Sequence, residues 1–177
     1  MRRHDTDRGL LRHPNFEVIG IDLVFEILRR ISKVRVPQVP LIAGDIEFLP
    51  FRKDSLDIVI HNQVLHFFFQ REVILSEIGR VLRPGGLLES IETNGWNPYV
   101  CYHHYCKFSD IIQFISKNEN PFSLTTYRKE LENVGFKVLG WRMIKFDFIK
   151  ILSPFDKYFV KIPIFDLIFG VSMLVCS

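Results

Sequence analysis

From Phe16 onward, short apolar runs alternate with stretches of helical apolar spacing. Phe16–Asp22 (FEVIGID) predicts a strand that ends on an acid, and Val24–Ile31 follows as a helix offering Phe25, Ile27, Leu28 and Ile31 to a core. Pro37 and Pro40 bracket a connection to Leu41–Gly44, a short strand that ends at Asp45, and Pro50 fixes a turn beyond it. Leu56–His61 is a β-branched run that gives way to polar His61, Asn62 and Gln63. Gln70–Leu82 carries apolar residues at helical spacing (Ile74, Ile78, Val81, Leu82), and Pro84, Gly85 and Gly86 stop it before a further strand, Leu87–Thr93.

The second half continues the alternation. Asn94–Pro98 reads as a loop, Val100–Lys117 as an aromatic- and histidine-rich helix, and Asn118, Asn120 and Pro121 as its break. Thr126 is the expected N-cap of a short helix carrying Leu131 and Val134, stopped by Gly135. Phe136–Phe148 and Val171–Cys176 complete the strands. Strands that are apolar along their whole length, alternating with helices, argue for an α/β fold of three layers around a mostly parallel sheet. In such sheets ligands lie beyond the carboxyl ends of the strands, which puts Asp22, Asp45 and the His61–Gln63 group where a ligand would be.

Composition narrows the function classes. A chain of 177 residues suits one domain, taken as 1–177, and 17 Phe at this length call for extensive burial. A net charge of +3 with interspersed signs makes no nucleic-acid footprint. Three Cys without regular spacing predict reduced thiols in a cytoplasmic setting. The basic start MRRHDTDRGLLRHPNF lacks the apolar core of a secretory signal. No transmembrane segment is expected, because Lys150, Asp156, Lys157, Lys161 and Asp166 interrupt the apolar C-terminal region, and the charge-free tail Leu167–Ser177 falls well short of the roughly 20 residues of a span. Cys101, His103, His104 and Cys106 do not follow a structural zinc spacing, so no metal is expected.

The run GDIEFLPFRKDSLDIVIHNQVLHFF, followed by EIGRVLRPGGLLESIETNGWNP, resembles the middle of a class I S-adenosylmethionine-dependent methyltransferase of the quinone-biosynthesis-like branch. The resemblance runs from about Phe16 to the C-terminus and implies a Rossmann-like sheet of order 3-2-1-4-5-7-6, mostly parallel with an antiparallel final strand. It implies S-adenosylmethionine as cofactor and a small, apolar or aromatic methyl acceptor. By the same resemblance Asp22, with Leu23 beside it, binds the cofactor's ribose. Asp45 accepts from the adenine amino group while the Ile46 amide reads a ring nitrogen, and His61 and Asn62 line the methionine part, partly through backbone atoms. A histidine at 61 departs from the small residue often found there. The structural alternatives are an Asp22 that only caps the next helix and an Asp45 that only bonds its own turn. His66 reads as a histidine opening the next helix in preference to a general base, and methyl transfer from a sulfonium needs alignment more than proton transfer. Trp96, Tyr99, Tyr102 and Tyr105 either wall an acceptor pocket or pack in the core.

One part of the family pattern is missing. The family opens with a central strand and a D-x-G-x-G-x-G loop, and no G-x-G occurs in this chain, so the fold is expected to be N-terminally incomplete, with residues 1–15 the remnant of the first helix and 16–177 strands two to seven. The strands that begin with Phe16 and Leu56 would then flank a gap. Three remedies are open: upstream chain, direct pairing of those two strands, or a strand donated by a second copy or another partner. Two function classes follow: a methyltransferase impaired as written, or a non-catalytic remnant serving as a binding or interaction module. A nicotinamide-dependent dehydrogenase is disfavoured, since the chain has neither G-x-G-x-x-G nor a Tyr followed four residues later by Lys.

Overall fold

The computed structural model describes residues 16–33, 39–93, 95, 123–145 and 171–176. They belong to two compact units, Met1–Phe51 and Arg52–Ser177.

In the first unit, β1 (Gly20–Asp22) and β2 (Leu41–Ala43) pair in parallel, with α1 (Phe25–Ser32) between them in the chain. β1 is shorter than the apolar run Phe16–Asp22, because only three residues find partners, in the register Gly20↔Leu41, Ile21↔Ile42 and Asp22↔Ala43. The strands approach closely: a Cβ on Gly44 would lie 2.7 Å from Ile21 Cδ1. Leu28 of α1 and Leu49 are buried.

In the second unit, β3 (Leu56–Asn62) leads through a 3₁₀ turn (Leu65–Phe67) into α2 (Arg71–Val81), and β4 (Leu82–Thr93) follows directly. α3 (Leu124–Asn133), β5 (Val138–Lys145) and β6 (Val171–Cys176) complete the described elements. The strand order is β3-β4-β6-β5, with β3 and β4 parallel and β6 antiparallel to both neighbours. Its order and strand directions match the 4-5-7-6 part of the sheet that the family resemblance implies. Among the described residues β1 and β3 pair with no common strand and not with each other.

The core of the second unit has a simple origin. The helical spacing of Ile74, Leu75, Ile78 and Val81 sets one face of α2 against the sheet, where Leu88 and Ile91 of β4 are buried with Leu131 and Tyr127 of α3. α2 and α3 are tied by Arg71, whose Nε and Nη2 donate to Glu130 at 2.8 and 2.6 Å while Nη1 donates to the Phe68 carbonyl at 3.1 Å.

Several boundaries differ from expectation. β4 begins at Leu82, not Leu87, since Leu82 already pairs with Leu56; the register then shifts to Ile58↔Leu87 across the Pro84–Gly86 turn. Gly85 is left-handed there (φ 78), and a Cβ on Gly86 would lie 2.9 Å from the Arg83 carbonyl and 3.1 Å from that of Asp57. The N-cap of α3 is Ser123, not Thr126: Ser123 Oγ accepts from the Thr126 amide at 3.1 Å, so Thr126 is already inside the helix. Residues 1–15, the Trp96–Lys117 region with its aromatic and Cys/His side chains, and 146–170 lie outside the described residues.

Candidate functional site

The two acids of the first unit stand at the carboxyl ends of neighbouring parallel strands. Asp22 ends β1, and its Oδ1 accepts from the Val24 amide at 2.8 Å, which starts α1. Asp45 follows β2, and its Oδ1 accepts from the Glu47 amide at 3.0 Å, while its carbonyl accepts from Phe48 at 3.1 Å. Each acid therefore does bond its own turn, as the structural alternative required. Each does so with one oxygen only: Oδ2 of both has no hydrogen-bond partner among the described residues, nor do the amides of Leu23 and Ile46. Two carboxylate oxygens and two amides are thus left at the carboxyl end of a parallel pair, where ligands of such sheets lie.

The second unit places His61 and Asn62 differently. Both lie at the carboxyl end of β3, but alternate positions on a strand face opposite sides. Asn62 is exposed, whereas the His61 side chain is 4% exposed and turned into a buried polar chain. His61 Nε2 is 3.3 Å from the Tyr127 hydroxyl, which is 2.8 Å from Ser90 Oγ. On its other side, His61 Nδ1 lies 3.3 Å from Glu92 Oε1, close but out of line for a hydrogen bond. The Tyr127 hydroxyl donates to Ser90, which leaves its oxygen to accept from His61 Nε2, while His61 Nδ1 has no hydrogen-bond partner among the described residues.

Glu92, near the end of β4, is the hub. Its Oε1 accepts from the amides of Val64 at 2.9 Å and Leu65 at 2.8 Å, and its Oε2 lies 3.0 Å from His66 Nδ1. Burial alone would push the carboxyl up, but the side chains of His61 and His66, the charge of His61 and the Leu65 amide outweigh it and hold the group down at about 2. His61 lies near Glu92 without alignment, so the aligned contacts to His66 and the two amides are the firmer cause. His66 is buried against Phe67, with ring centroids 4.2 Å apart. The sequence reading carried Glu92 within the strand Leu87–Thr93 and missed its pairing with His66. The available signal was a carboxylate within the apolar run LLESIE, which strand burial does not tolerate without partners. Among the described residues no group of three or more His, Cys, Asp or Glu side chains could hold a metal ion, and no helix is long and apolar enough to cross a membrane.

A family model described as a methyltransferase domain matches residues 7–89. The ubiquinone/menaquinone biosynthesis C-methyltransferase UbiE of Campylobacter jejuni is 29% identical over 144 residues, covering 72% of this chain and 61% of that protein. UbiE of Syntrophotalea carbinolica is 32% identical over 102 residues (52% and 43%), and the malonyl-acyl-carrier-protein O-methyltransferase of Legionella pneumophila is 26% identical over 113 residues (57% and 39%). The chain thus spans less than two thirds of the length of these curated relatives. In fold it is similar to a chain from a Haloferax volcanii methyltransferase–activator complex, with TM-score 0.70, 21% identity, and coverage of 98% of this chain and 76% of that one. It is also similar to a SAM-dependent methyltransferase from Archaeoglobus fulgidus, with TM-score 0.64, 14% identity, and coverage of 97% and 80%. In sequence the chain thus resembles a methyltransferase domain, with enzymes of quinone biosynthesis among the proteins it is similar to, and it shares the α/β Rossmann-like fold of S-adenosylmethionine-dependent methyltransferases.

Proposed function

We propose that the chain binds S-adenosylmethionine and serves the transfer of its methyl group to a small, apolar or aromatic acceptor. The observation that carries this reading is the pair Asp22 and Asp45, each with one carboxylate oxygen engaged in its own turn and the other without a partner among the described residues. Asp22, with Leu23, takes the ribose hydroxyls. Asp45 takes the adenine amino group, and the Ile46 amide takes a ring nitrogen. Asn62 and the backbone of His61 take the methionine part. The cofactor supplies an activated sulfonium methyl, so what the protein must supply is orientation and exclusion of water. The small-molecule acceptor follows from the family, and the cytoplasm remains the proposed setting. The Haloferax neighbour was solved in a complex with an activator, which makes a protein partner a fair expectation here too.

Calorimetric titration of the full chain with S-adenosylmethionine and its demethylated product tests the reading. Binding is expected, and Asp22→Ala should weaken it by about 1.5–3 kcal/mol, the worth of hydrogen bonds to a charged group. An unchanged dissociation constant removes Asp22 from the site.

A second reading, a non-catalytic methyltransferase-like module, is favoured by one feature. Among the described residues the outer edge of β3 has no partner strand, and Ile58 and Ile60 on it are exposed. Such an edge suits a strand from another polypeptide or a second copy. A folded chain that binds neither cofactor form would favour this reading.

A further inference from the structure

We infer that Glu92 is a positioning residue for the methyl-donor end of the site, fixing the backbone of Asn62–Phe67 from behind through the Val64 and Leu65 amides and His66. The inference rests on the cofactor reading above and adds to it a residue that does not itself touch the ligand.

The chain turns sharply after β3. Gln63 is left-handed (φ 57), a conformation a non-glycine side chain holds only when its surroundings demand it, and Val64 returns to the right-handed region. Successive left- and right-handed residues make their amides converge into a concave anion nest. Here β4 fills it. The Gln63 amide donates to the Ile91 carbonyl at 2.8 Å, and the next two amides both donate to Glu92 Oε1. Three consecutive amides are thereby held by two neighbouring residues of β4, and the second carboxylate oxygen holds His66.

Two features separate positioning from catalysis and from packing. Glu92 is 4% exposed with both oxygens engaged, so it has no atom left for a substrate. It is also a costly way merely to fill a strand end, since an apolar residue would bury there without charge. What the carboxylate adds is a defined loop shape directly beyond Asn62. The groups facing it are His61 from β3, His66 from the 3₁₀ turn, and the backbone amides of Val64 and Leu65; Tyr127 of α3 and Ser90 of β4 stand behind His61.

The test compares dissociation constants for S-adenosylhomocysteine in the full chain, with folding checked by circular dichroism. Glu92→Gln is expected to raise the constant about tenfold, and His66→Ala by several-fold. His66→Asn, which keeps a donor near the Nδ1 position, should stay within about twofold of wild type. Ser123→Ala removes the N-cap of α3 and so destabilises the same unit by another route; it should leave affinity unchanged. Equal affinity of wild type and Glu92→Gln overturns the inference. So does a parallel loss in Ser123→Ala, which would reduce Glu92 to general stability. If Glu92→Gln fails to fold, the His66 pair decides: Asn and Ala behaving alike overturns it. A wild type that does not bind overturns the cofactor reading and this inference with it.

Discussion

At the scale of single residues, the charge on Glu92 has a consequence that needs no cofactor. Its carboxyl sits at about 2 in the folded chain against an ordinary 4.5, so the folded state favours the ionised form. The stabilisation is fully present above the unfolded value and is lost as pH falls through the folded one, an effect on the order of 3 kcal/mol. The stability difference between wild type and Glu92→Gln, measured by urea denaturation, should therefore be largest above pH 4.5 and shrink steadily toward pH 2. A difference that does not vary with pH would mean that shape, not charge, accounts for it. Asp22 and Asp45 were legible in the sequence as acids ending strands. The inward turn of His61 was not, because a one-residue step on a strand exchanges a ligand-facing position for a core-facing one and nothing in IVIHNQ fixes which residue takes which.

At the scale of elements, what the sequence showed well was set by local spacing, and what it missed was set by partners. α2 was readable because Ile74, Ile78 and Val81 repeat at a helical period. β1 came out three residues long because β2 offers it only three partners, a fact that FEVIGID cannot contain. The cap of α3 was misplaced because Ser123, Thr125 and Thr126 all carry hydroxyls, with Ser123 Oγ 2.8 and 2.9 Å from the other two. Which one caps depends on where the preceding chain enters. The link between α2 and α3 is non-local and was likewise invisible: Arg71 and Glu130 form a bidentate pair with side chains 7% and 16% exposed. Glu130→Ala leaves the guanidinium buried beside the Phe68 carbonyl and should destabilise the chain by about 3 kcal/mol, whereas replacing both partners with Met and Leu should recover most of that loss. A denaturant double-mutant cycle checks this, and additive losses would show that the pair is uncoupled.

For the whole molecule, the sheet order is the informative quantity. Among the described residues the second unit has the strand order β3-β4-β6-β5, the order of the 4-5-7-6 part of the sheet that the resemblance implies, and the first unit a parallel β1-β2 pair. The missing G-x-G had raised the question of that strand, because the glycine loop and the central strand are one unit: the strand delivers the loop, and the loop lets backbone approach the ligand. Among the described residues one edge of β3 has no partner strand, and Ile58 and Ile60 on β3 are exposed. Joining to the N-terminus a β-branched strand that ends in D-x-G-x-G-x-G should add backbone hydrogen bonds worth about 0.5–1.5 kcal/mol each along that edge, and amide donors for the cofactor's carboxylate. At roughly 2–4 °C per kcal/mol for a chain of this size, melting temperature should rise by several degrees. Affinity for S-adenosylhomocysteine should rise with it. A gain in melting temperature without affinity would mean that the edge accepts a strand while the cofactor is held elsewhere. Neither changing would mean that β3 is not where the first strand belongs.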